Sequence, residues 1–265
     1  MEKIKDDMLR IDNLAKTFLL HNQGAKKLPV FQNISFQVKA GECLVLTGAS
    51  GTGKSTLLRA IYANYLVQSG KINIRHENKW VDLASASPHE VLDIRRKTLG
   101  YVSQFLRVIP RISTIDLVCE PLIVQGKLLT SARAQAKKLL TKLSIPKSLW
   151  DLPPATFSGG EQQRVNIART LIQDYPVLLL DEPTASLDPE TGDFVRSFLE
   201  EYQRENKTSI LLASHNMSEV ERLCSSVLMM NHGAIIDQGT PKELIEKHGR
   251  KNMEEVFLKL TREIK

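Results

Sequence analysis

Nine residues, GASGTGKST at positions 48–56, constrain this chain more than any other stretch, because they fall between an apolar run and an amphipathic helical pattern. The spacing G-x-x-x-x-G-K-S has a mechanical reason. Gly48, Gly51 and Gly53 let the backbone turn tightly and aim its amides at an oligophosphate. Lys54 reaches toward the outer phosphates, and Ser55 is placed to hold the Mg²⁺ that a nucleoside triphosphate carries. Ser50, Thr52 and Thr56 complete the expected cradle, and the positive end of the following helix faces the same charge. Before the loop, Cys43, Leu44, Val45 and Leu46 read as a short buried strand. After it, Leu57, Leu58, Ile61, Tyr62, Tyr65 and Leu66 recur at helical spacing. A mere glycine-rich turn would not require strand, loop, Lys-Ser pair and helix in that order.

A chain of 265 residues can bury a real core, as one large domain or as a main domain with a smaller insertion. Its 42% hydrophobic and 25% charged residues are ordinary for a globular protein. The formal charge of +6 is scattered through helical stretches rather than gathered in blocks, so a solvated, mildly basic surface is expected and a nucleic-acid partner is not. Cys43, Cys119 and Cys224 fit no metal-ligand spacing, and their odd number speaks against a disulfide scaffold and for a reducing cytoplasm. The opening residues, MEKIKDDMLR, lack the apolar core of a secretion signal. No run approaches the ~20 apolar residues that cross a bilayer, so any membrane role must pass through a partner.

Alternation at Ile34, Phe36 and Val38 predicts strands leading into the loop, and KINIRHENKWVDL at 71–83 predicts a hairpin with a polar turn at His76 to Asn78. From Thr114 to about Leu152 the pattern is helical, with Leu139, Leu140 and Leu143 on one apolar face, and Pro153-Pro154 closes the section. Apolar strands follow at 177–180 and 209–213. Between them runs a helix whose expected buried face includes Phe194, Val195, Phe198, Leu199 and Tyr202. Alternating strands and helices predict an α/β fold: a mostly parallel sheet covered on both faces, with added antiparallel strands and an inserted helical subdomain.

Two further stretches carry chemistry. In YPVLLLDEPTASLD, residues 175–188, an apolar strand delivers two acids at its carboxyl end, where ligands bind in such sheets. Asp181 is suited to hold Mg²⁺ through carboxylate oxygen, and Glu182, pointing differently, to polarise an attacking water as general base. One acid at a strand end is commonplace, whereas D-E-P-T after four apolar residues is not. In FSGGEQQR, residues 157–164, Ser158 and the amides of Gly159 and Gly160 offer a second anion-binding helix start. Val165, Ala168, Leu171 and Ile172 form one side of that helix.

These three motifs, in this order, resemble the ATP-binding-cassette (ABC) ATPase family, a P-loop NTPase fold. GASGTGKS stands as Walker A, FSGGE as signature and LLLDE as Walker B. The resemblance covers nearly the whole chain. It implies a single cassette domain over 8–265, with a nucleotide-binding core at about 8–103 and 155–250, a helical subdomain at about 104–154 and a terminal helix at about 251–265. It implies ATP and Mg²⁺ as cofactors and a second cassette subunit as partner, with Ser158 and Gly160 contacting the γ-phosphate held by the other subunit. By the same resemblance Gln104 is the glutamine near Mg²⁺ and the hydrolytic water, and Ser186, Leu187 and Asp188 form the D-loop. His215 senses the γ-phosphate, and Phe18 stacks on adenine. The signature departs from the common LSGGQ at Phe157 and Glu161.

From about Phe18 to Asp188 the chain resembles the cassettes of the phosphonate carbon–phosphorus lyase system, the PhnL branch. The resemblance rests on STLLRAIYANYL, WVDL, VSQFLRVIPRIS and FSGGEQQRVNIARTLIQDYPVLLLDEPTASLD. That implies lyase subunits as partners. From Ser214 onward the chain resembles transporter cassettes, which implies a membrane permease instead and a place against the inner membrane face. The lyase assembly is the first expectation and the transporter subunit the alternative. A binding module without turnover is disfavoured by intact Lys54, Asp181, Glu182 and His215.

Overall fold

A computed structural model describes residues 6–20, 25–106, 110–185 and 187–263. In chain order its main elements are β1 (Asp7–Leu20), β2 (Lys26–Lys39), β3 (Cys43–Thr47), α1 (Lys54–Ile61), β4 (Ser69–His76), β5 (Lys79–Asp82), α2 (Pro88–Lys97) and β6 (Leu99–Val102). There follow α3 (Thr114–Val124), α4 (Leu129–Lys142), α5 (Gly159–Leu171), β7 (Val177–Asp181), α6 (Pro189–Asn206), β8 (Ser209–Ala213) and α7 (Met217–Leu223). The chain ends in β9 (Ser226–Asn231), β10 (Ala234–Gly239), α8 (Pro241–His248) and α9 (Met253–Glu263). These elements form two compact units, one from residues up to 95 together with 209 onward, the other from 96–208.

In the first unit β3 lies between β9 and β8, parallel to both, with Leu44 opposite Leu211 and Ser226. Cys43, Leu44, Val45 and Leu46 are all buried, as are Ile210, Leu211 and Leu212. A parallel strand covered on both faces has no solvent side, which is why the sequence shows apolar runs here and no alternation. β10 pairs antiparallel with β9. A separate antiparallel sheet runs β2-β1-β4-β5. Ile34 and Val38 turn inward with Leu9, Ile11 and Leu14, and Phe36 is half-buried.

The expected hairpin is present, with a tighter turn than the sequence suggested. His76 still pairs with Lys79, and the loop is Glu77-Asn78, both at positive φ (46° and 65°). That is the primed two-residue turn whose twist matches the flanking strands. The helix after the phosphate loop is shorter than its periodicity implied. It ends at Ile61, where the Ala63 amide donates to Ala60 O at 2.9 Å and the Asn64 amide to Arg59 O at 2.8 Å. Ala63 takes the left-handed conformation that closes such a pair. Tyr65 and Leu66 therefore lie beyond the helix, and Leu66 is 81% exposed.

In the second unit β6 and β7 pair in parallel, Val102 opposite Leu180. The helical section has α3 capped by Ser113, whose Oγ accepts from the Asp116 amide. The inward line of α4 is Ala132, Ala136 and Leu140, four residues apart, and Leu143 is buried just past its end. Leu139, expected on that face, is half-buried at its edge. On α6 the buried line is Val195, Leu199 and Tyr202, and Phe194 is exposed. Val165, Ala168 and Leu171 of α5 are buried as expected, as is Ile172 at its C-cap.

Candidate functional site

The first unit presents the phosphate loop at the carboxyl end of β3. Gly48, at φ 156°, leaves no room for a side chain, because a Cβ there would stand 2.3 Å from Met230 O of β9. At Gly51 (φ 82°) a Cβ would meet nothing within 4 Å. Gly53, at φ 100°, caps α1 without any side-chain hydrogen bond. A glycine at the cap offers the first turn of α1 no side-chain acceptor of its own, the arrangement that suits an incoming anion. Lys54 is buried and folds back over the loop, its Nζ donating to Gly48 O at 2.8 Å and Ala49 O at 3.0 Å. Thr52 Oγ1 donates to Ala49 O at 2.9 Å. Ser50 is exposed, while Ser55 and Thr56 are half-buried at the first turn.

His215 leaves the end of β8, the strand beside β3, since Ala213 pairs with Leu46 and the Ser214 amide donates to Leu46 O at 3.1 Å. The phosphate loop and His215 therefore issue from the same end of adjacent parallel strands. The turn carrying His215 is pinned by Ser214 Oγ, which donates to the buried carboxylate of Glu219 and accepts from the Asn216 amide at 3.0 Å. Phe18 meets Tyr65 edge-on at 5.3 Å. Lys16 Nζ stands 4.6 Å from the Phe18 ring and donates to Leu66 O at 2.6 Å.

The second unit repeats the logic with acids. Register between β6 and β7 places Ser103 and Gln104 beside Asp181 and Glu182 at the carboxyl ends of two neighbouring strands. Asp181 is fully buried, and Tyr101 Oη donates to its Oδ2 at 2.9 Å. Glu182 is buried at φ 50°, a left-handed conformation that is costly for a side chain and turns it away from the direction of Asp181. Gln104 is half-buried. The carbonyl before it, Ser103 O, accepts from Asn166 Nδ2 at 2.7 Å and Gln163 Nε2 at 3.4 Å, both from α5.

Ser158 caps α5. Its Oγ donates to Glu161 Oε2 at 2.7 Å and accepts from the Glu161 amide at 3.3 Å, while the Ser158 amide donates to the same carboxylate at 2.9 Å. Glu161, read in the sequence as a departure from the signature, thus completes a reciprocal cap. Its carboxyl is held below the ordinary range by these Ser158 bonds. A Cβ on Gly159 would meet nothing within 4 Å, and one on Gly160 would meet only Leu187 Cδ2 at 3.4 Å. Asp188 caps α6, its Oδ1 accepting from the Thr191 amide at 3.0 Å, which holds its carboxyl low. Ser186 of the expected D-loop lies outside the described residues, as do Arg107, Val108 and Ile109 of the stretch after Gln104.

Amides set for phosphate and a buried lysine in the first unit, and carboxylate oxygens suited to a hard cation in the second, are the kinds of group that a Mg²⁺-bound nucleoside triphosphate needs. The ABC transporter family profile matches residues 31–185, more than half of the chain. The chain belongs to the ABC transporter family. Among relatives of this cassette, the methionine import ATP-binding protein MetN 1 of Bacillus cereus is 33% identical over 237 residues, covering 89% of this chain and 66% of that protein. The lipoprotein-releasing system ATP-binding protein LolD of Zymomonas mobilis is 34% identical over 234 residues, covering 88% and 97%. The cassette thus spans just under two thirds of the length of its methionine-import relatives. A solved dimeric ATP-binding cassette in a post-hydrolysis state with ADP and Pi superposes with a TM-score of 0.81 at 26% identity, covering 88% of this chain and 98% of that one. The domain is an ATPase cassette with the expected α/β fold.

Several residues around the site have weak signals in the sequence: Tyr65 falls at helical spacing, Gln163 and Asn166 lie in the stretch after Ser158 without a chemical role of their own, and Tyr101 and Glu219 belong to no motif. For Glu219 the available signal is a serine five residues ahead, just past an apolar strand.

Proposed function

We propose that this chain is the ATP-binding and ATP-hydrolysing subunit of a membrane transporter, working as one of two cassettes. The observation that carries the reading is the relationship to import and release subunits at 33–34% identity over nearly nine tenths of the chain. These relatives favour the transporter expectation over the phosphonate-lyase one. The lyase assembly is the second reading and rests on the sequence of residues 104–113. Among the described residues no helix is long and apolar enough to cross a membrane. In this reading the chain sits in the cytoplasm against a permease.

Bound MgATP supplies the triphosphate and the charge-neutralising ion. Lys54 and the amides of residues 48–56 bind the phosphates, and Ser55, Asp181 and Gln104 hold the ion. Glu182 takes the proton of the attacking water, and His215 orients it beside the terminal phosphate. Phe18 stacks on the base. Ser158, Gly159 and Gly160 of one cassette, with Asp188 nearby, close on the nucleotide held by the other. In-line attack needs little covalent help from the protein, so positioning and charge dominate. The solved relative was obtained as a dimer, which supports the two-cassette arrangement.

The test is co-purification of the full tagged chain from its own cells. The expected result is recovery in detergent-solubilised membranes with a polytopic permease that stimulates ATP turnover. Recovery only with soluble phosphonate-lyase subunits would overturn the transporter reading.

A further inference from the structure

Cys43 and Cys224 have no part in the chemistry above. Cys43 opens β3, five residues before Gly48 of the phosphate loop, and Cys224 begins the two-residue link from α7 to β9. They are 181 residues apart in sequence, yet their Sγ atoms stand 2.9 Å from each other. Both are free thiols, 3% and 7% exposed.

The backbone around them is fixed. The Ser225 amide donates to Cys43 O at 3.0 Å, and Leu44 stands opposite Ser226 in the parallel pair β3–β9. Ser225 Oγ adds a bond to the same carbonyl at 3.2 Å, and Ser226 Oγ donates to Glu42 Oε1 at 2.6 Å. An S–S bond is about 2.05 Å long, so from 2.9 Å the two sulfurs have under an ångström to close. The sequence spoke against a disulfide scaffold because the cysteines are odd in number. That count cannot see one pair brought together with Cys119 left over.

We propose that Cys43 and Cys224 are a dithiol–disulfide pair, a modification site at the root of the phosphate-loop strand that a hydroperoxide oxidises reversibly. In the first step the thiolate of one cysteine attacks hydrogen peroxide. The O–O bond breaks, and sulfenic acid and water form after proton transfer. The second sulfur then displaces the sulfenic hydroxyl as water and forms the S–S bond. The two thiols together lose two electrons and two protons, and the peroxide becomes two waters. Burial, together with the neighbouring Cys43, pushes the Cys224 thiol well above its usual range, so thiolate is scarce and reaction is slow. A small oxidant is suited to the site, and a bulky alkylating agent is not. The bridge would tie the start of β3 to the start of β9 and so remove freedom from the unfolded chain.

The experiment treats the full reduced chain with hydrogen peroxide, removes the oxidant, and maps peptides by mass without reduction. The expected product has lost two hydrogens and contains one cross-linked peptide joining Cys43 to Cys224. It melts at a higher temperature than the reduced chain, and dithiothreitol restores the thiols and the original melting temperature. Cys119→Ser should form the same bridge, whereas Cys224→Ser should not. Three intact thiols after treatment, a bridge through Cys119, cross-links only between chains, or over-oxidised sulfur without the bridge would each overturn the proposal. All these readouts are independent of nucleotide and partner, so they stand apart from the transporter reading.

Discussion

Tyr101 Oη donates a hydrogen bond of 2.9 Å to Oδ2 of Asp181, across the adjacent parallel strands β6 and β7. Asp181 is fully buried. A buried polar group needs hydrogen-bond partners, and this phenol supplies one to Oδ2. Tyr101→Phe keeps the ring and removes the donor. In the proposed mechanism Asp181 then holds Mg²⁺ in a less defined geometry. The Mg²⁺ concentration for half-maximal ATP turnover should rise several-fold, with a loss of stability of about 1 kcal/mol. A magnesium titration of turnover checks this, and an unchanged midpoint would remove Tyr101 from the site.

Lys54 spans its own loop, bonded to the carbonyls of Gly48 and Ala49. Its ammonium is thus tied to the loop it serves, and an ordered side chain lowers the ordering cost of binding. Lys54→Ala removes a charge-assisted bond of about 1.5–3 kcal/mol, so nucleotide affinity should fall about 10- to 100-fold. Equilibrium binding of a fluorescent ATP analogue reads this directly, and parent-like affinity would count against the cradle.

Glu182 occupies a left-handed backbone conformation immediately after Asp181, a strain that fits a residue aimed for chemistry rather than packing. Glu182→Gln preserves shape and removes the basic oxygen. Turnover should drop by about 10²- to 10⁴-fold, the usual worth of general base catalysis, while ATP binding persists. Size-exclusion chromatography with ATP should then show accumulated dimers, and near-parent turnover would reassign the base.

Much of this arrangement was legible in the sequence because it is local. The strand–loop–helix around Gly48, the acids after Val177 to Leu180 and a hairpin with a turn within His76 to Asn78 each follow from neighbours along the chain. The unread parts depend on residues brought together by the fold. Phe18 and Tyr65 meet through β1 and the segment after α1, Asn166 reaches a carbonyl 63 residues away, and Cys43 finds Cys224 across 181. Helical periodicity also ran past Ile61, because apolar spacing does not register the left-handed turn at Ala63 that ends the helix. Glu161 shows the converse. Its spacing from Ser158 is that of a capping box, a local signal that the signature pattern does not contain.

The Glu161 carboxyl is held below 4.5, the ordinary glutamate value, by bonds from Ser158. A depressed folded value means that its stabilisation is complete above the unfolded pKa and is lost as pH falls through the lower folded one. Melting temperature should therefore decline below about pH 4.5 in part through this group, and Glu161→Gln should flatten that limb. Ser158→Ala removes the reciprocal partner and should cost about 1 kcal/mol at neutral pH. Thermal melts from pH 7 to pH 3 make the comparison, and identical acid limbs for the parent and Glu161→Gln would show that the cap does not contribute.

Asn166 ties the signature helix α5 to the segment that carries Gln104. Its amide nitrogen donates to Ser103 O at 2.7 Å, and its side chain is backed by Gln163 Oε1 at 3.3 Å. Both residues are buried, so replacing Asn166 by Leu leaves Gln163 as the only α5 donor to that carbonyl, at the longer 3.4 Å. Leaving the carbonyl short of a partner costs about 1–3 kcal/mol. A purely structural role would show as lost stability with the kinetics of the remaining folded protein unchanged. A positioning role adds a second signature, because a displaced Gln104 weakens ion and water placement in the transition state more than it weakens nucleotide binding. Asn166→Leu should therefore lower kcat several-fold with KM for ATP nearly constant, while Asn166→Gln, which retains a donor, should recover part of the rate. Equal kcat per folded molecule in the parent and both variants would confine Asn166 to the core.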